Sequence, residues 1–111
     1  MIWKVNYTDE AKQDLRNIFE YIRDTLLELE TAKGQLRRIR DAGNSLDHFP
    51  LRCRLYDHEP WYTMGIRVLA VDNYLVLYLP DELQNLVTIS RVIYGARNIP
   101  TQLVELEKEL K

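Results

Sequence analysis

Apolar and polar residues along this chain change period near its middle, and the change divides helix from strand. At the start, Ile2-Trp3-Lys4-Val5-Asn6-Tyr7 mixes β-branched and aromatic residues with polar ones at period two, so residues 2–7 predict a strand. Thr8 then offers a hydroxyl as N-cap, and Asp9 and Glu10 suit the positive end of a helix. Ala11, Leu15, Ile18, Phe19, Ile22, Leu26 and Leu29 recur three and four apart, opposite Lys12, Asp14, Arg16, Glu20 and Arg23. That spacing predicts an amphipathic helix of about five turns. A second stripe, Ala32, Leu36, Ile39, Gly43 and Leu46, runs to about Asp47, and Pro50 stops it. The short connection makes the pair a helical hairpin.

Beyond Pro50 the pattern becomes that of strands. Met64–Val71 and Tyr74–Leu79 are β-rich and flank Asp72-Asn73, two residues that tolerate the positive φ of a tight hairpin turn. A looser turn, Pro80–Asn85, leads to a third strand over Leu86–Tyr94 that ends at Gly95. Thr101 is placed to cap a short helix, Gln102–Leu110. The expected fold is therefore α+β: an N-terminal strand, an antiparallel helical hairpin on one sheet face, a three-stranded antiparallel meander and a C-terminal helix. Asp47–Thr63, about seventeen residues without a period, exceeds ordinary loop length and is a functional candidate on that ground.

Composition narrows the picture. The 111 residues suit one domain, 1–111, and a net charge of −2 does not announce a nucleic-acid binder. Ten Arg stand against five Lys, which favours planar forks matched to phosphate and carboxylate. Cys53, the single cysteine, excludes an internal disulfide. The alternating N-terminus and the lack of an apolar run near the ~20 residues of a membrane span predict a soluble, cytoplasmic protein.

Few catalytic constellations survive inspection. Cys53 with His48 or His58 lacks a third orienting group, two histidines and one cysteine are too few for a structural zinc, and no Gly-rich phosphate loop exists. No metal or cofactor is expected. Glu105 and Glu109 read as a solvated helix face, as do Arg37, Arg38 and Arg40 on the second helix; Arg52 and Arg54 lie in the long loop. Arg67 and Arg91 fall within strands, where an unpaired charge is costly to bury. They are expected to project from the sheet face away from the helices or to pair with acids. In the first case the meander brings them toward one surface with Arg97, near Tyr74, Tyr78 or Tyr94, and that surface suits phosphate or an acidic peptide.

The order of these segments is similar to that of the RelE/ParE superfamily of toxins from bacterial type II toxin–antitoxin modules. The resemblance is carried by Ala11, Asp14-Leu15 and Tyr21-Ile22, by Phe49-Pro50, and by Gly65-Ile66-Arg67-Val68-Leu69. It continues in Asn73-Tyr74-Leu75-Val76-Leu77-Tyr78 and in Ile89-Ser90-Arg91-Val92-Ile93-Tyr94-Gly95-Ala96-Arg97-Asn98. RelE-like members are ribosome-dependent mRNA endonucleases with lysines near the strand matching Ile66–Val68, an Arg after the Tyr matching Tyr74, an Arg after the last strand and a Tyr in the tail. Here Arg97 matches and Arg67 lies near the lysine positions, but a guanidinium does not deprotonate to act as a base. Leu75 follows Tyr74, and residues 101–111 hold no Tyr. His58 and Glu59 are the substitute bases that such a nuclease could use.

ParE-like members resemble the chain better, and they act by binding DNA gyrase. The resemblance thus implies a growth-inhibiting toxin of the ParE-like kind. The alternatives are a RelE-like mRNA endonuclease and an inactive homologue that only binds its antitoxin. It also implies a cognate antitoxin, whose extended or helical tail docks by apolar anchors, with oligomeric state set through it. Trp3, Leu26, Leu27 and Leu29 are the candidate anchors, and an acidic tail over Arg67, Arg91 and Arg97 is expected.

Overall fold

The computed structural model describes residues 2–95. Strand β1 (Lys4–Tyr7) leads into helix α1 (Asp9–Glu20), which a π-helical turn at Tyr21–Thr25 joins to helix α2 (Leu29–Asn44). Single 3-10 turns at Ser45–Asp47 and Pro50–Arg52 and a short helix α3 (Trp61–Met64) precede β2 (Arg67–Val71), β3 (Tyr74–Asp81) and β4 (Leu86–Tyr94). The expected C-terminal helix lies outside the described residues.

The sheet has four strands, not three, in the order β1-β4-β3-β2. The expected antiparallel meander is present, but β1 extends it as a parallel partner of β4, with Lys4 opposite Leu86 and Tyr7 opposite Ile89. Without β1, the outer edge of β4 would present unpaired amides and carbonyls. Period-two alternation is the same for parallel and antiparallel strands, so it does not reveal this partner.

Thr8 caps α1 as expected, its hydroxyl accepting from the Ala11 amide. The first helical stripe does not continue to Leu29. Leu27 adopts φ +56°, turning the chain, and Leu29 begins α2. The second stripe holds. At Gly43 a Cβ would lie 2.7 Å from Tyr7 Oη and 3.0 Å from Ile89 Cδ1, so only glycine lets α2 approach the sheet this closely. The first meander strand begins at Arg67, not Met64, because Gly65 at φ +85° closes α3 ahead of it.

The core has two parts, one on each face of β3. Ala11, Leu15, Ile39 and Leu46 from the helical side pack on Tyr74, Val76, Tyr78, Val87 and Ile89. On the other face Tyr56 and Ile66 close over Val68, Leu75, Leu77 and Ile93, with Trp61 against them. Tyr74–Tyr78 is buried throughout, as expected of a central strand covered on both sides. The long loop is therefore a second layer over the sheet. It pairs with β2 through Leu55 opposite Arg67, and through the Tyr56 amide to the Ile66 carbonyl.

Candidate functional site

The strand arginines are engaged by the fold. At the end of β1, β4 bulges: Tyr78 faces Ile89 while Leu77 faces Arg91. The Thr8 hydroxyl donates to the Ser90 carbonyl at 2.8 Å, and Asp14 on α1 accepts from the Val92 amide at 2.9 Å. The same carboxylate receives Arg91 Nε and Nη2 at 2.7 and 3.0 Å, a two-pronged pair. Arg91 thus meets the second of its two expectations, pairing with an acid.

Arg67 points its guanidinium at the carbonyls of Leu51 and Cys53. Its cross-strand neighbour Tyr78, fully buried, donates its hydroxyl to the Pro50 carbonyl. Burial, then the Cys53 thiol, holds the Tyr78 phenol well above its ordinary range. Together the two side chains fasten the 3-10 turn Pro50–Arg52 to the sheet. Arg52 tightens the same turn by donating to the His48 carbonyl at 2.6 Å and to Ser45 Oγ at 3.0 Å. Arg67 and Arg91 are thus held by different elements, and Arg97 lies outside the described residues.

His58 and Glu59 sit in the covering loop. The His58 ring packs 5.0 Å from that of Tyr56, and the Glu59 carboxylate accepts from the Thr63 hydroxyl on α3. Tyr56 is buried with its hydroxyl unpartnered among the described residues, and burial pushes its phenol up to about 12. No group of three His, Cys, Asp or Glu side chains gathers among the described residues in a way that could hold a metal ion.

Two grooves among the described residues are lined largely by apolar and aromatic side chains. At the tip of the helical hairpin, Ile18, Tyr21, Ile22, Leu26, Tyr74 and Tyr94 line a groove of about 690 Å³. The Tyr74 and Tyr94 rings meet edge to face at 5.6 Å, and burial raises the Tyr74 phenol above its ordinary value. Leu27, at the same tip, is 83% exposed. The second surface is a cleft of about 540 Å³ lined by Trp3, Phe49, Pro50 and Leu51. Phe49 was not singled out from the sequence as a binding residue, yet it is 81% exposed at φ +48°. A bulky residue directly before a proline was the signal available, since Pro50 already restricts its backbone.

The four non-glycine residues at positive φ are Leu27, Phe49, Asp72 and Asn85 among the described residues. Asp and Asn tolerate this conformation; Leu and Phe pay about 1–2 kcal/mol for it. Both apolar ones display their side chains to solvent. Helix α2 separates the two surfaces: its sixteen residues span about 24 Å.

No helix among the described residues is long and apolar enough to cross a membrane. The fold is similar to that in the chromosomal ParDE toxin–antitoxin system from P. aeruginosa, with a TM-score of 0.70, 16% identity and coverage of 84% of this chain and 96% of that one. It is also similar to a chain of the RelBE2 toxin–antitoxin complex from Mycobacterium tuberculosis, with a TM-score of 0.62, 21% identity and coverage of 86% and 100%. No curated protein sequence matches the chain. The model of the ParE toxin of type II toxin–antitoxin systems matches residues 5–99, nearly the whole span over which β1, the helical hairpin and the meander were built. A strand, a helical hairpin and a meander in this order, matched over this length, make the chain a member of the ParE toxin family of type II toxin–antitoxin systems.

Proposed function

We propose that this chain arrests bacterial growth by binding DNA gyrase, and that a protein antitoxin neutralises it by docking on its open apolar surfaces. The observation that carries the reading is the engagement of both strand arginines: Arg91 by Asp14 and Arg67 by the Leu51 and Cys53 carbonyls. An RNA-cleaving site needs a base and a cationic fork aimed at the scissile phosphate. Here His58 packs on Tyr56 and Glu59 accepts from the Thr63 hydroxyl, roles in the covering layer. Engaged arginines support binding over cleavage as the mode of action.

The antitoxin is an extended chain in this reading. Its apolar residues anchor beside Leu27 and the Tyr74–Tyr94 groove at one end of α2, and beside Trp3 and Phe49 at the other. Two separated anchors joined by one tail gain avidity that neither has alone.

Controlled expression of the chain alone in a bacterial host tests the proposal. Growth arrest with DNA breaks, an SOS response and intact mRNA is expected, together with inhibition of supercoiling by purified gyrase. Codon-position mRNA cuts within minutes would overturn gyrase binding in favour of a nuclease. Normal growth at confirmed soluble expression would identify a homologue that only binds its antitoxin.

A further inference from the structure

Lys12 on α1 and Arg40 on α2 are exposed, and their side chains make no ion pair or hydrogen bond among the described residues. Both line a pocket of about 350 Å³ together with Tyr7 and Asn44, over the buried Leu15. We infer that this pocket binds a phosphate group, either free or carried on an ester.

Hydrogen-bond polarity selects an anion. The Tyr7 hydroxyl donates to Asn44 Oδ1 at 3.1 Å, which occupies the acceptor of that amide and leaves its Nδ2 donor unengaged among the described residues. Gly43 permits this contact, since a Cβ there would lie 2.7 Å from Tyr7 Oη. An ammonium and a guanidinium hold no acceptor. Lys12, Arg40 and Asn44 therefore present donors alone.

The surrounding carboxylates do not cancel the two cations. Asp9, Glu10 and Asp41 lie within a turn of Lys12 or Arg40 along the chain and pair with neither. Asp14 is taken by Arg91, and Asp24 by Arg23 at 2.6 Å. Glu20 stands about 12 Å beyond Lys12 along α1. Burial is the main reason that the Tyr7 phenol lies above its ordinary value; of the two charges felt there, the Arg40 cation acts more strongly than the Asp41 carboxylate. The number of donors favours phosphate over carboxylate. The Arg40 fork takes two oxygens, and a tetrahedral phosphate has others left for Lys12 and Asn44, which a planar carboxylate does not.

The inference is independent of the proposed function. Inorganic phosphate is titrated into the isotope-labelled full-length protein in chloride buffer at constant ionic strength, with acetate in parallel, and NMR reads the signals of Lys12, Arg40 and Asn44. Phosphate is expected to shift them along a saturating curve that acetate does not reproduce. Arg40→Gln and Asn44→Asp are each expected to weaken phosphate by about tenfold. Arg37→Gln, on α2 but outside the pocket lining, is expected to leave its affinity unchanged. Circular dichroism confirms that each variant is folded. A mononucleotide and a duplex oligonucleotide then distinguish the sources of the group. Tighter binding of the duplex marks a nucleic-acid backbone, and equal or tighter binding of the mononucleotide marks a small phosphate ester or free phosphate. Shifts that do not saturate, an equal response to acetate, or unchanged affinity in both pocket variants would each overturn the inference.

Discussion

Asp14 and Arg91 meet where β4 runs past the end of its parallel partner β1. Tyr7 is the last residue of β1 to pair with β4, opposite Ile89, and just beyond it the Asp14 carboxylate takes the Val92 amide together with Nε and Nη2 of Arg91. The carboxylate is 11% exposed and the guanidinium 30%. One α1 side chain thus serves as acceptor for the strand edge and as counter-ion for a charge in the sheet, so helix and sheet are joined at the bulge.

Asp14→Ala removes both functions and strands a half-buried arginine. We expect a loss of about 2–4 kcal/mol, read as a lower urea midpoint with an unchanged slope. Asp14→Asn keeps a neutral acceptor for the Val92 amide and is expected to cost less.

Two buried tyrosines, Tyr78 on β3 and Tyr56 in the covering layer, should behave oppositely. Tyr78→Phe deletes the donor to the Pro50 carbonyl and is expected to destabilise by about 1–2 kcal/mol. Tyr56→Phe removes a buried hydroxyl that has no partner among the described residues, so thermal melts are expected to show no loss or a small gain. The wild-type protein carries a corresponding alkaline limb. The phenol of Tyr56 is raised in the folded state, so its contribution is full below the ordinary value of about 10. That contribution is lost as pH rises through about 12. Spectrophotometric titration of tyrosinate against pH checks the late ionisation.

The Asp72 turn gives an acid-side prediction. Arg38 donates to its carboxylate at 2.7 Å and Gln35 at 3.0 Å, and these bonds, Arg38 first, hold its pKa below the usual carboxylate value. A depressed folded-state pKa supplies stability above the unfolded value of about 3.9 and loses it as pH falls through the folded value. Asp72→Asn tolerates the φ of +54° but removes the charge. Wild type is therefore expected to melt above the variant at pH 6, and the gap to close as melts are taken down to pH 2.

Leu27 and Phe49 separate stability from binding. Leu27→Asn and Phe49→Asn relieve backbone strain at exposed positions and are expected to leave stability unchanged or raise it by up to about 1 kcal/mol. The same variants are expected to weaken neutralisation by the antitoxin. Growth rescue in co-expression measures that loss, and full rescue of both variants would remove these residues from the docking surface.

Much of the framework was legible in the residues. Thr8 as cap, the stripe Ala32–Leu46, the Asp72-Asn73 turn and the meander all follow from local chemistry, because capping, helical period and positive φ are properties of neighbours along the chain. The site was less legible. Trp3 and Leu27 were visible as apolar residues, but their placement beyond opposite ends of α2 and the exposure of Phe49 were not.

By itself the sequence determined the two helices of the hairpin, the three meander strands, their order and the resemblance to RelE/ParE toxins, since these rest on local periodicity and on motif order. Only the tertiary structure decided that β1 joins β4 in parallel, that the long loop covers the second sheet face, and that Arg67 and Arg91 brace the fold. The reason is physical. Edge pairing and the choice of partner for a guanidinium depend on which groups the folded chain brings within about 3 Å, and residues as far apart as Asp14 and Arg91 carry no mark of that meeting along the chain.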